Sequence, residues 1–135
     1  MDKQNLQTEL MVLCDYASVS REGKLSINGI FDELRNVKPP IILNGFFVAT
    51  VSGTPNSSYK ISLKAETGSK NENILPPMEM NFTTGPNGKH NMVIQIQAQL
   101  PHLGTYSFRL YEGSKAIGSR EIKAIKVDNL NIANN

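Results

Sequence analysis

From Met92 to Leu100 every second residue is apolar: Met92, Ile94, Ile96, Ala98 and Leu100, with Val93, Gln95, Gln97 and Gln99 on the other parity. Successive side chains of an extended chain point to opposite faces of a sheet, so this segment reads as a half-buried antiparallel strand. The same period recurs at Tyr59–Ala65, Met78–Phe82 and Tyr106–Leu110. A chain built from such segments must find an apolar surface to cover one face of each.

The intervening residues punctuate these strands. Leu10–Val19 is apolar on both parities and reads as a central strand, followed by a tight turn at Arg21-Glu22-Gly23-Lys24. Leu25–Phe31 returns, with a bulge expected at Asn28-Gly29. Asp32–Lys38 is the one segment suited to a helical turn or two, with Asp32 as N-cap and Pro39-Pro40 as terminator. Ile42–Val51 is a third strand, Tyr59–Thr67 a fourth and Met78–Thr83 a fifth. The sixth is Met92–Leu100, the seventh Thr105–Tyr111 and the eighth Lys115–Val127, kinked near Gly118-Ser119. Gly68–Pro77 is the longest irregular stretch. Seven or eight strands with at most one short helix predict an all-β antiparallel two-sheet sandwich, and a closed barrel is the alternative. The expected organisation is a polar arm at 1–9, one domain at 10–127 and a flexible tail at 128–135.

Composition narrows the function classes. With 14 basic and 12 acidic residues, the net charge of +2 is too balanced to point to nucleic acid or to a membrane surface. The single cysteine cannot build a disulfide framework within the chain. No run approaches the ~20 apolar residues of a membrane helix. Residues 1–9 lack the apolar stretch of a secretory signal, so a cytoplasmic location is expected.

Leu13-Cys14-Asp15-Tyr16-Ala17, then Gly23-Lys24-Leu25 and Asn28-Gly29-Ile30-Phe31-Asp32, form one block. Gly104-Thr105-Tyr106-Ser107-Phe108, with a Gly113 turn and a terminal strand, form a second. Together these resemble an uncharacterised bacterial family, a domain of unknown function of stand-alone β-sandwich proteins, over roughly Leu10 to Val127. The resemblance implies a sandwich and a bacterial or phage source, and it implies no activity. The chain departs from the family pattern at Gly68–Pro77, where the expected Asp-Gly hairpin turn is missing.

Candidate chemistry is sparse. Gly85-Pro86-Asn87-Gly88-Lys89-His90 superficially suggests a phosphate loop, but Thr83 and His90 occupy the places of the required Gly and Ser or Thr, and the segment joins two strands. It reads as a hairpin turn. His90 and His102 fall in turns, without a Gly-x-Ser-x-Gly elbow. Two histidines and Cys14, far apart, do not make a zinc site. Asp15 could be a buried acid, but reads better as an acceptor for backbone or Arg21. Cys14 reads as an inert buried thiol. Carboxylates at Glu22, Asp32, Glu33 and Glu72 are too scattered for calcium. No cofactor or metal is expected.

The remaining signal is association. Ile42–Val51 carries apolar residues on both faces, so loops of the same chain or another chain must cover the second face. Phe46, Phe47 and Val51, with Arg109 and Tyr111 on an outer face, form the candidate interaction surface, and Gln95, Gln97 and Gln99 a polar one. The expected function is a non-catalytic protein-interaction or structural module. It would act on a protein partner or on itself, with neither nucleic acid nor membrane as partner. The alternative is a small-ligand or glycan-binding module using loops near Asp32–Pro40 and Gly68–Pro77.

Overall fold

A computed structural model describes residues 3–35, 38–67 and 72–126. Its strands are β1 (Gln7–Val19), β2 (Leu25–Phe31), β3 (Glu33–Arg35), β4 (Ile41–Ser52), β5 (Ser58–Thr67), β6 (Met78–Thr83), β7 (Lys89–Leu100), β8 (Gly104–Glu112) and β9 (Lys115–Ile125). One sheet runs β2-β1-β4-β7 and the other β3-β9-β8-β5-β6. The sheets pack face to face, and the structure is the all-β sandwich that the alternation requires.

The alternating residues meet between the sheets. β5 and β8 send Tyr59, Ile61, Leu63, Tyr106, Phe108 and Leu110 inward; β4 and β7 answer with Leu43, Phe47, Val51, Ile96 and Leu100. The Phe47 and Phe108 rings stack across the gap at 6.5 Å. Each fully buried ring of this kind contributes about 1.5–3 kcal/mol. At the β7–β8 corner the Tyr106 hydroxyl donates to the His102 carbonyl (2.6 Å) and accepts from the His102 N–H (3.1 Å). This is a tyrosine corner, which belongs with the Greek-key arrangement of immunoglobulin-like sandwiches.

Three expectations need correction. The helical turn expected over Asp32–Lys38 does not form where that span is described, since Glu33–Arg35 are a strand, and no helix occurs among the described residues. Glu33–Arg35 pair in parallel with Lys123–Ile125. The Asp32 carbonyl accepts from the Lys123 N–H (2.9 Å), and Leu34 packs against the core. The open edge of β9 satisfies these backbone groups better than one isolated helical turn could. The separate polar arm at 1–9 is also wrong where it is described: Leu6 is buried, and the Tyr59 hydroxyl donates to the Gln4 carbonyl (2.7 Å). Glu9 pairs with Lys89 at 3.0 Å. The tail at 128–135 lies outside the described residues.

The third correction concerns Asn28-Gly29. No residue is inserted there: pairing of β1 with β2 keeps one register from Leu13↔Phe31 to Val19↔Leu25, lacking only Asp15 opposite Gly29. Gly29 has φ +74°, and a Cβ on it would lie 2.3 Å from the Asp15 carboxylate. The hairpin bends at this point. Val12 and Cys14 are even positions and Ala17 is odd, yet all three are buried in one cluster with Val48, packed by Leu25, Ile27 and Val93. A flat strand would place them on opposite faces. Moreover, the Gly23 carbonyl in the hairpin turn accepts from the Asn91 side chain of β7 (3.3 Å), although β4 lies between β1 and β7 in the sheet. The far half of the β1–β2 hairpin therefore folds back over the outer face of the four-stranded sheet and encloses a second, smaller core.

Candidate functional site

The folded-back hairpin covers only part of the outer face. β1 pairs with β4 from Ser52 down to Phe46 and then leaves, so Ile41–Gly45 pair with β7 alone. On the uncovered part lie Ile42 and Asn44 from β4, with Gln95, Gln97 and Gln99 across from Phe46, Asn44 and Ile42 on β7. Ile30 shares their face through Cys14, which stands opposite both Ile30 and Phe46. Tyr16 leans edge-on against the Phe46 ring at 5.3 Å. Tyr16, Ile30 and Ile42 are 57%, 56% and 59% exposed, three of the five exposed large hydrophobic residues among those described. The result is an open shelf: apolar and aromatic at Tyr16, Phe46, Ile30 and Ile42, and edged by amides.

The structure separates the five residues of the expected interaction surface. Phe47 and Val51 are fully buried between the sheets, so neither can face a partner. In a strand apolar on both parities, the odd set of β4 turned to the larger core. Phe46 belongs to the shelf. Arg109 and Tyr111 stand on the outer face of the other sheet, tied to their neighbours. Arg109 Nη1 meets Glu66 Oε1 at 3.0 Å, and the Lys64 ammonium lies 5.1 Å from the Tyr111 ring centroid. Ile30 escaped the sequence reading, and Ile42 lay in its two-faced apolar run but was not singled out. Their signal was parity: Ile42 shares the parity of Phe46, and Ile30 stands opposite Cys14.

The titratable groups do not converge. His90 lies in β7, one residue from its start and not in the turn expected for it, whereas His102 lies in the turn beyond the far end of that strand. The His90 ring stacks on Phe82 at 4.3 Å, and burial lowers its pKa. Cys14 sits in the crook of the bent hairpin, its Sγ 3.4 Å from the Tyr16 carbonyl, and burial raises its pKa. Such a thiol is a poor nucleophile at neutral pH. Asp15 is exposed, with its carboxylate over Gly29, and no bond to Arg21 forms. Gly85–Gly88 is the β6–β7 turn, with Gly88 at φ +79°. No group of three or more His, Cys, Asp or Glu side chains among the described residues could hold a metal ion. No helix there is long and apolar enough to cross a membrane.

The two loops proposed for ligand binding do approach each other. Pro40 and Glu72–Ile74 line one open depression with Thr67, Gln99 and Pro101. Residues 36–37 and 68–71 lie outside the described part.

Residues 9–125 match the model of a "Family of unknown function (DUF6941)". The chain belongs to this family. The resemblance read from its two sequence blocks thus holds, and the family's match covers nearly the whole sandwich. No curated protein matches the sequence. Among solved structures, the fold is similar to part of a β-glucosidase from Listeria innocua, solved in complex with isofagomine. The identity is 8% and the TM-score 0.53, with 93% of this chain covered and 16% of the glucosidase. This chain therefore spans about a sixth of that enzyme's length, and the likeness is one of fold. An immunoglobulin-like protein from Pseudomonas aeruginosa superposes with a TM-score of 0.46 at 9% identity, over 90% of this chain and 97% of its own.

Proposed function

We propose that this family member is a non-catalytic protein-contact module that works through the shelf on its four-stranded sheet. The observation that supports this most is the gathering of Tyr16, Ile30 and Ile42 around Phe46 on the one part of the outer face that the hairpin leaves bare. Apolar centres rimmed by amides are the composition of contact surfaces between proteins. The opposite sheet offers a contrast: its outer face is a lattice of internal pairs, Lys60–Glu79 and Arg109–Glu66 among them.

A photo-activatable cross-linker placed at Asn44 should capture one defined protein, either a partner or a second copy, in extract of the source cell. The same group at Lys60 should capture none. Ile42→Asp should abolish the adduct and leave the melting temperature within a few degrees, because Ile42 is exposed. Equal labelling from both positions would overturn the reading.

A second reading has one observation in its favour, the meeting of Pro40 with Glu72–Ile74. A metabolite or glycan bound there at 100 times its Kd would stabilise the fold by about 2.7 kcal/mol. A flat thermal-shift panel would dismiss it.

A further inference from the structure

A strand at the edge of a sheet exposes a row of unpaired N–H and C=O groups, and proteins that stay apart blunt such edges with charge, proline, brevity, bulges or bends. Most of the edges here are blunted. β2 is bent at Gly29, and β3 has three residues, two of them charged. β6 has six residues, carries Glu79 and follows Pro76-Pro77. The short stretch Ile41–Gly45 that β1 vacates follows Pro39-Pro40 and runs into the Cys14 carbonyl, 2.6 Å from where a Gly45 Cβ would lie.

β7 has none of these devices along most of its length; Lys89 at its start and Pro101 just past its end are the exceptions. It pairs with β4 at twelve consecutive positions without a register shift, and on its other side no strand among the described residues pairs with it. From Asn91 to Leu100 it contains no charge, no proline and no glycine. Alternate residues of a strand turn their backbone groups to opposite edges, so about half of the backbone donors and acceptors of β7 have no strand partner among the described residues.

We propose that two copies of this chain pair β7 with β7 in antiparallel fashion about a two-fold axis, joining their four-stranded sheets into one of eight strands. The sequence of β7 is complementary to itself in this arrangement. With the axis at Gln97, Gln97 faces its own copy and Gln95 faces Gln99 of the second chain. Each side-chain amide carries both donor and acceptor, so glutamine can pair with glutamine, whereas a lysine or glutamate ladder would repel itself. The inner-face residues Ile94, Ile96 and Ala98 are apolar and extend the core across the junction. Growth stops at two, because the outer edges of the joined sheet are the bent β2 strands. This inference goes beyond the contact reading: it rests on the backbone edge of β7, whose glutamines also rim the shelf, and the recovery of two chain masses on mixing the charged variants tests the edge alone.

Light scattering over a hundredfold range of concentration tests it. The wild-type chain should hold two chain masses, and Gln97→Lys and Gln97→Glu should each raise the dimer Kd at least tenfold at low salt. Gln97 is exposed, so both variants should keep the wild-type circular dichroism; Gln95→Lys serves if either does not. An equimolar mixture of the two variants should return to two chain masses, which general damage to the fold would not do. A wild-type chain that is monomeric throughout, a Gln97→Lys dimer as tight as wild type, or a mixture that stays monomeric would each overturn the proposal. An Asn44 adduct that survives in monomeric Gln97→Lys would show the shelf acting without the edge.

Discussion

The molecule has two cores, and they are built differently. The large one lies between two sheets and is filled from both by strands in simple alternation. The small one lies between a sheet and its own hairpin, and it exists because β1 and β2 bend together at Asp15 and Gly29. In the first, burial follows from parity alone. In the second, the chain changes parity midway and covers itself. The lesson is that a strand apolar on both faces need not announce a partner along its whole length. Val12, Cys14 and Val48 are covered from within, and only the part beyond Phe46 is left over.

Three substitutions sharpen this contrast. Phe108→Ala, in the large core, should destabilise the fold by about 3–5 kcal/mol in denaturant melts, and every probe should report one transition. Gly29→Ala places a Cβ at positive φ and against Asp15, and should cost about 1–3 kcal/mol. Its signature should be local: amides of β2 should lose protection against hydrogen exchange while those of β8 keep most of theirs. Equal losses in both would mean that the small core is not a separate unit. The smallest effect lies at the margin of the large core, where His90 of β7 stacks on Phe82. Burial lowers the pKa of His90 in the folded chain, whereas the unfolded chain titrates near 6.5. The unfolded state therefore binds the proton more tightly. The associated stability is full above about pH 6.5 and falls away as pH drops through the lowered folded value. His90→Phe should keep the stack on Phe82 and flatten this slope in urea melts between pH 7 and 5.

How much of this was legible in the sequence follows the same division. β5, β7 and β8 were readable because one face meets core and the other water, and the Gly23, Gly88 and Gly113 turns because each needs a positive φ. Glu33–Arg35 was misread because three residues carry too little pattern to compete with a tertiary partner, and that partner, β9, lies about 90 residues away in the chain. Phe46 and Phe47 illustrate the limit at the site. Both are phenylalanine in an apolar run, and only the position of the second sheet decides which is interior. Ile30 became part of a surface through its pairing to Cys14, which no local window contains.

One consequence of the folded-back hairpin concerns measure rather than shape. Its tip reaches Asn91 because the arm from Asp15 to Gly23 is long enough to cross β4. The bare area of the sheet is thus set by the reach of one connection, as a shutter's position sets an aperture. Shortening the arm by one residue pair would withdraw the tip and uncover Val93 and Val48. A longer arm would run past β7, the edge of the sheet, and cover no more of it. The bare face can therefore widen by deletion at a single turn, with no change in the strands that carry it.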